Sequence, residues 1–297
     1  MNSKIIDKLV RETHKFRSQV YGIGVYENGE MKTVKTSPSN DCNAIYSISK
    51  NFTAVAVGIL IDRGLLTLDT DVYSIFENDY ENLNRQWKKV KVRHVLSQTT
   101  GIVNGFLDID SDDIYKYPTD DFLKIVLEWP LKREPGEFFL YSDSHFYLAS
   151  RIVNKVSGME LCDFLTENLF TPLKFQGYAF ARCPKGYSIG GSGLYLRVED
   201  LLKFGVMCSN YGEFEGKRIV SEKFMREAMS KVTIAHNKQP YGYSFWLDRE
   251  GKYIEMDGIH GQSVYIYPEK KVVAAWLSYD IDGVTGQLHQ TLREIMK

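Results

Sequence analysis

Residues 44–72 read AIYSISKNFTAVAVGILIDRGLLTLDTDV, and the fold is decided by what this stretch demands of its surroundings. From Ile48 to Asp62 the chain is strongly apolar, which predicts a helix over 48–63 that is buried rather than lying at a surface. Gly64 then supplies the left-handed residue that ends such a helix. A helix of this kind must be enclosed, so the flanking sequence has to provide the elements that cover it.

Upstream, Ile5, Ile6, Leu9, Val10 and Phe16 recur at helical spacing, predicting an amphipathic helix over 4–16. Val20–Tyr26 and Met31–Thr36 read as two strands joined at Asn28-Gly29, the pair that a tight hairpin turn favours. Downstream, helices are expected over 92–98, over 120–128 ending before Pro130, over 144–156 ending before Gly158, and over 160–169. Residues 104–118 form the single long irregular stretch. Beyond residue 185 come a turn at Gly190, Gly191 and Gly193, helices over 198–208 and 221–230, strands over 242–247, 262–267 and 271–279, and a last helix over 285–296. Strands at both ends of the chain with helices between them imply an α/β (α+β) fold. One antiparallel sheet is assembled from 1–48 and 180–297 and flanked by the terminal helices, a helical lobe over 49–179 is inserted, and the cleft between them is the expected site.

The composition narrows the function classes. The 297 residues carry 37 Lys and Arg against 38 Asp and Glu, a net charge of -1, so nothing marks nucleic acid or an anionic membrane as a partner. The longest apolar run, Ala54–Ile61, is far short of a membrane span, and the first residues carry charge where a signal peptide needs an apolar block, so a cytoplasmic location is expected. Cys42, Cys162, Cys183 and Cys208 lie far apart with no C-x-x-C pair, which predicts reduced thiols and no zinc site. No metal constellation, phosphate loop or dinucleotide motif appears, and the Gly190–Gly193 turn follows no clear strand, so no cofactor is expected. Composition leaves the oligomeric state open, and the substrate has to be read from a site.

The chemistry starts at Ser47-Ile48-Ser49-Lys50, the sole S-x-x-K of the sequence. An offset of three on a helix puts the hydroxyl and the ammonium on one face, and a helix amino terminus favours a developing alkoxide. That arrangement activates a nucleophile; the plainer alternative is a serine cap followed by a solvated lysine.

Read in order, residues 44–72, VKVRHVLSQTTGI (90–102), EPGEFFLYSDSHFYLASRIVNKVSG (134–158), GGSGLYLRVEDLLKFG (190–205) and YGYSFWLDREGKYIEMDGIHGQSVYIYPEKKVVAAWLS (241–278) resemble the class C β-lactamase and DD-peptidase-like serine hydrolases. The resemblance spans roughly residues 17–280, and the group includes esterases, D-aminopeptidases and nylon-oligomer hydrolases. It implies the β-lactamase-like fold, with Ser47 as nucleophile and Lys50 beside it. The family's Tyr-x-Asn becomes Tyr141-Ser142-Asp143 here, so Tyr141 is implied to take the serine proton and return it to the leaving group. Asp143 departs from the pattern: a carboxylate offers only acceptors and would hold Lys50 charged, making the lysine an electrostatic anchor.

The family's third motif, Lys-Thr-Gly or a variant, is read as Ile259-His260-Gly261 on the strand edging the cleft. Gly261 would let the backbone approach a substrate, and the amide of Gln262 would join that of Ser47 as an oxyanion hole. Ile259 in the lysine position removes a cation that helps hold a substrate carboxylate. A shift of one residue would put His260 there instead, on the opposite face. The resemblance therefore implies acyl transfer on a small ester or amide. The alternatives are a D-Ala-D-Ala carboxypeptidase, a D-aminopeptidase or a weak β-lactamase, and, outside catalysis, an inactive penicillin-binding module. Among the remaining side chains, His94 reads as structural at a helix end and His145 as surface or as support behind the site. Phe106, Tyr115, Tyr117, Trp129, Tyr187 and Trp246 are candidates for an aromatic pocket wall, each more often simply core.

Overall fold

The periodicity of the first residues becomes helix α1 (Lys4–Phe16) in a computed structural model that describes residues 4–16, 19–37, 41–113 and 116–297. The Phe16 side chain and Tyr115 lie outside the described residues. Strands β1 (Val20–Glu27) and β2 (Glu30–Lys35) follow, and their turn uses the two positive-φ residues its sequence supplies, Asn28 at 55° and Gly29 at 83°. After the short strand β3 (Asn43–Ala44), the apolar run forms α2 (Ser49–Asp62), buried at every residue from Ser49 to Leu60. Of the helices that follow, α3 (Val72–Phe76), α4 (Val92–Leu96) and α5 (Phe122–Glu128) pack against α6 (Asp143–Ser157), and α6 and α7 (Leu161–Leu165) pack against α2. Gly158 closes α6 in the left-handed region at φ 75°. Besides residues 104–113, the stretch 129–142 is also irregular, contrary to the expectation of one such loop.

The return to the sheet runs through β4 (Tyr178–Phe180), β5 (Leu194–Leu196), α8 (Val198–Ser209), the hairpin of β6 (Glu213–Phe214) and β7 (Lys217–Arg218), and α9 (Glu222–Ala228). Then come β8 (Thr233–Ile234), β9 (Pro240–Tyr241), β10 (Trp246–Leu247), β11 (Ile254–Gly258), β12 (Gln262–Tyr267), β13 (Val272–Ser278) and α10 (Gly286–Ile295). Eight strands form one antiparallel sheet in the order β2-β1-β13-β12-β11-β10-β9-β8, so the first hairpin docks on the last strand, with Ile23 opposite Trp276 and Val25 opposite Ala274. β13 is buried on both faces and therefore reads as a continuous apolar run. Val272, Ala274 and Trp276 face α1 and α10, while Val273, Ala275 and Leu277 join the large core that continues through α8 into α2 and α6. β3, β5 and β4 make a second, three-stranded sheet.

Two expectations near the cleft are corrected. Residues 242–247 do not form one strand: Ser244 sits at φ 70° and breaks the run between β9 and β10. The break is put to use, because it turns the Ser244 carbonyl toward α2, where Asn51 donates to it at 2.7 Å. β11 also appears where the sequence reading had no strand, since its alternation of Ile254, Met256 and Gly258 with Glu255 and Asp257 looks like a solvated edge. Among the described residues no helix is long and apolar enough to cross a membrane.

Candidate active site

Ser47 lies in a short 3-10 turn, Tyr46–Ile48, that runs directly into α2, and Lys50 follows one turn later. The Lys50 side chain is 1% exposed, and its ammonium donates to Ser47 Oγ at 2.9 Å, to the Gly191 carbonyl at 2.8 Å and to Asp143 Oδ1. Three donors thus meet three acceptors, which is the full capacity of an ammonium. Burial disfavours the charged lysine, but the Asp143 carboxylate and then the Tyr141 hydroxyl outweigh it and raise the Lys50 pKa above its usual value. The Tyr141 ring centroid lies 4.7 Å from the ammonium. The structure therefore brings together Ser47, Lys50, Tyr141 and Asp143, four of the eight residues the sequence singled out.

The Tyr141-Ser142-Asp143 segment is held from below. Ser142 caps α6, and its backbone N–H donates to Gln98 Oε1 at 2.7 Å. Gln98, fully buried, accepts from the Leu140 N–H on its own carbonyl and donates from Nε2 to the Tyr241 hydroxyl at 2.8 Å, tying the helical block to β9. The glycine turn read from sequence as a bare connection is part of the site. A Cβ on Gly191 would stand 3.0 Å from Asp143, and Thr53 of α2 donates to the Gly190 carbonyl at 2.8 Å. That turn must be small to bring its carbonyl to Lys50.

Ile259-His260-Gly261 is not on a strand, contrary to expectation: it is the turn between β11 and β12, closed by Gly258 opposite Gln262. Ile259 lines the cleft and is 55% exposed. His260, at φ 66°, points elsewhere, its ring 5.3 Å from that of Tyr46 and 4.5 Å from that of Tyr279. Gly261 faces Thr285 and Ser278, and the buried Gln262 side chain exchanges hydrogen bonds with the Ser278 backbone. His260, Gly261 and Gln262 therefore brace the hairpin end and do not line the cleft. The glycine that admits a close approach is Gly258, where a Cβ would stand 2.4 Å from the Ile45 carbonyl. β10 pairs only with Ile254 and Glu255, so the rest of the β11 edge lies open beside the Ser47 turn.

A cleft of about 480 Å³ opens over Ser47, walled by Tyr141 and Trp246, whose rings stack at 5.7 Å. Its charges were not legible from the sequence. Asp108, Asp110 and Asp143 bring carboxylate oxygens within 4.8 Å of one another, and Glu255 and Asp257 also line the cleft. The first three are the carboxylates close enough to share a metal ion, but Asp143 is already engaged by Lys50. Burial, followed by repulsion from Asp143, raises the Asp108 pKa; burial, and Asp143 after it, also raises that of Asp110. Burial and the neighbouring Glu255 raise Asp257 well above its usual value. The one sequence signal was period two: Glu255 and Asp257 share a face of β11, and that face is inward.

Of the other candidates, Trp246 lines the cleft, whereas Phe106 stacks on Trp129 at 4.2 Å, the Tyr117 hydroxyl accepts from the Leu107 N–H, and Tyr187 lies 3.4 Å under Arg151. His94 caps α4 by accepting from the Lys91 N–H at 3.0 Å, as its structural reading required. His145 is not at the surface: it is buried behind Asp143, 2.9 Å from Thr100 Oγ1.

With this geometry in hand, comparison with known proteins gives a consistent picture. The family model described as Beta-lactamase matches residues 20–283. Protein flp of Staphylococcus aureus (strain MRSA252) is 27% identical over 172 residues, which cover 58% of this chain and 34% of that protein. The chain thus matches about a third of that relative's length. Among solved structures, an octameric penicillin-binding protein homologue from Pyrococcus abyssi superimposes with a TM-score of 0.79 at 20% identity, covering 99% of this chain and 76% of the other. A family VIII carboxylesterase superimposes with a TM-score of 0.76 at 15% identity, covering 98% and 96%. At these identities the superpositions establish the fold.

Proposed function

The chain belongs to the beta-lactamase family, and from that membership we propose that it is a serine hydrolase that cleaves a small ester or amide through an acyl-enzyme on Ser47. The observation that carries the reading is the saturated ammonium of Lys50, which donates to Ser47 Oγ from a buried position. A serine oxygen that accepts from a fixed cation has its own O–H free to donate elsewhere, and its developing negative charge is stabilised where it forms. Tyr141, beside the same ammonium, is the group suited to receive that proton.

The steps follow from these positions. As Ser47 Oγ bonds to the substrate carbonyl carbon, its proton passes to Tyr141, which reacts as its phenolate beside the Lys50 ammonium, and the carbonyl oxygen takes up the negative charge. The Ser47 N–H and the open β11 edge beside Gly258 offer backbone donors for that oxygen; one such donor contributes about 3 kcal/mol to a transition state. Collapse breaks the bond to the leaving group, which takes the proton back from Tyr141. Water then repeats the sequence on the acyl-enzyme and frees Ser47. Lys50 stays charged throughout.

A carboxylate-bearing substrate such as a β-lactam or a D-Ala-D-Ala peptide fits this cleft less well. Ile259 supplies no cation, and no lysine or arginine is among the described residues that line the cleft. The kinship named in the carboxylesterase superposition favours esters. The test is turnover of p-nitrophenyl acetate and butyrate by the wild type and by Ser47→Ala. Loss of the nucleophile should lower the rate by on the order of 10^3 or more. Equal rates in the two proteins would remove Ser47 from the reaction.

A further inference from the structure

The charges around the cleft are unequal to a degree that the balanced whole chain conceals. Asp108, Asp110, Asp143, Glu255 and Asp257 converge on it, and the ammonium of Lys50 is committed to Asp143. Among the described residues no cation pairs with the other acids, and Asp257 is hydrogen-bonded to Glu255, so those two together act as one negative charge. Ser192 Oγ donates to Asp110 at 2.8 Å and 2.7 Å, Ser263 to Asp257 at 2.6 Å, and Tyr265 and Gln239 to Glu255 at 2.7 Å and 3.4 Å. Glu255 is only 9% exposed. Carboxylates withdrawn from water without a cation are costly, and an entering cation relieves that cost where an entering anion adds to it. A second observation points the same way. The cleft is otherwise lined by the rings of Tyr141 and Trp246, stacked at 5.7 Å, and by the neutral amides of Asn237 and Gln239. Aromatic faces attract ammonium groups through their quadrupole and offer nothing to a carboxylate.

We propose that the substrate of this cleft carries a protonated amine close to its scissile carbonyl, held by the carboxylates of Asp108 and Asp110 and by the Glu255–Asp257 pair, beside the rings of Tyr141 and Trp246. This rests on the reading of the site as a serine hydrolase centre and adds the class of substrate.

Two matched substrate series test it. In one, p-nitrophenyl esters have acyl chains of equal length ending in ammonium, methyl or carboxylate; in the other, acetyl thioesters carry the same three ends on the leaving thiol. The ammonium member should lead the carboxylate member in kcat/KM by about tenfold or more in at least one series, because charge-assisted hydrogen bonds are the strong ones. Asp108→Asn and Asp110→Asn, made separately so that a folding failure in one leaves the other, should each reduce that ratio by about threefold or more. Carboxylate members that match or exceed the ammonium members in both series would overturn the inference, as would an unchanged ratio in a folded variant. Covalent labelling of wild-type Ser47 by a fluorophosphonate and turnover of the methyl-ended ester report on the hydrolase reading separately. If they succeed and the ranking fails, only the amine assignment falls; if they fail, both fall.

Discussion

At the scale of single residues, the site is organised by one exchange, Asp143 for the family's asparagine. It holds Lys50 as a fixed ammonium with all three donors filled, which in the proposed reaction leaves Tyr141 as the proton carrier. Just behind it, His145 is buried, and burial pushes its pKa down to about 4. An unfolded histidine takes up its proton near 6.5, so between these values the unfolded chain binds a proton that the folded chain refuses. Stability therefore falls as pH drops from about 6.5 to about 4, by about 3 kcal/mol in all. The acids with raised pKa values act in the opposite direction, so the comparison must be between proteins. His145→Gln removes this titration while keeping a partner for Thr100. Urea midpoints at pH 7 and pH 4.5 should show a larger acid loss in the wild type than in the variant. Equal losses would mean that His145 is charged in the fold.

At the scale of elements, one strand edge and one turn set the geometry. β11 reaches the Ser47 turn because Gly258 leaves room for the Ile45 carbonyl. Its φ of -123° is open to any residue, so the demand is for space alone. Gly258→Ala should push the β11 edge away from Ser47, destabilising the fold by about 1–3 kcal/mol and lowering ester turnover more than that loss of folded protein explains. Full activity in the folded variant would detach this edge from catalysis. The same region marks where sequence reading stopped. The apolar segment after Ser47 could be read because an all-round buried helix leaves an unmistakable pattern, and the hairpin at Asn28-Gly29 because its turn needs those residues. β11 could not, because acids on an inward face resemble solvated residues. The glycine of the third motif was therefore sought at Gly261, on the turn, three residues beyond the one that touches the site. The role of the Gly190–Gly193 turn was hidden for a related reason: what it supplies is a backbone carbonyl, which has no signature in a side-chain pattern.

At the scale of the molecule, the sheet built from the two ends of the chain and the helices between them share one continuous core from Ile45 to Leu277, so the cleft walls are held by common packing. Gln98 adds a polar tie across the same boundary, from Ser142 to Tyr241. The balance of 37 cationic against 38 anionic residues gave no hint of the acidic cleft, because a net charge records how many charges there are and not where folding gathers them. The central claim is that Ser47 is an activated nucleophile, and intact mass after exposure to a fluorophosphonate tests it most directly. The account predicts one adduct per chain, carried by the peptide that contains Ser47 and absent from Ser47→Ala. An unlabelled wild type, or a label that persists in Ser47→Ala, would contradict it.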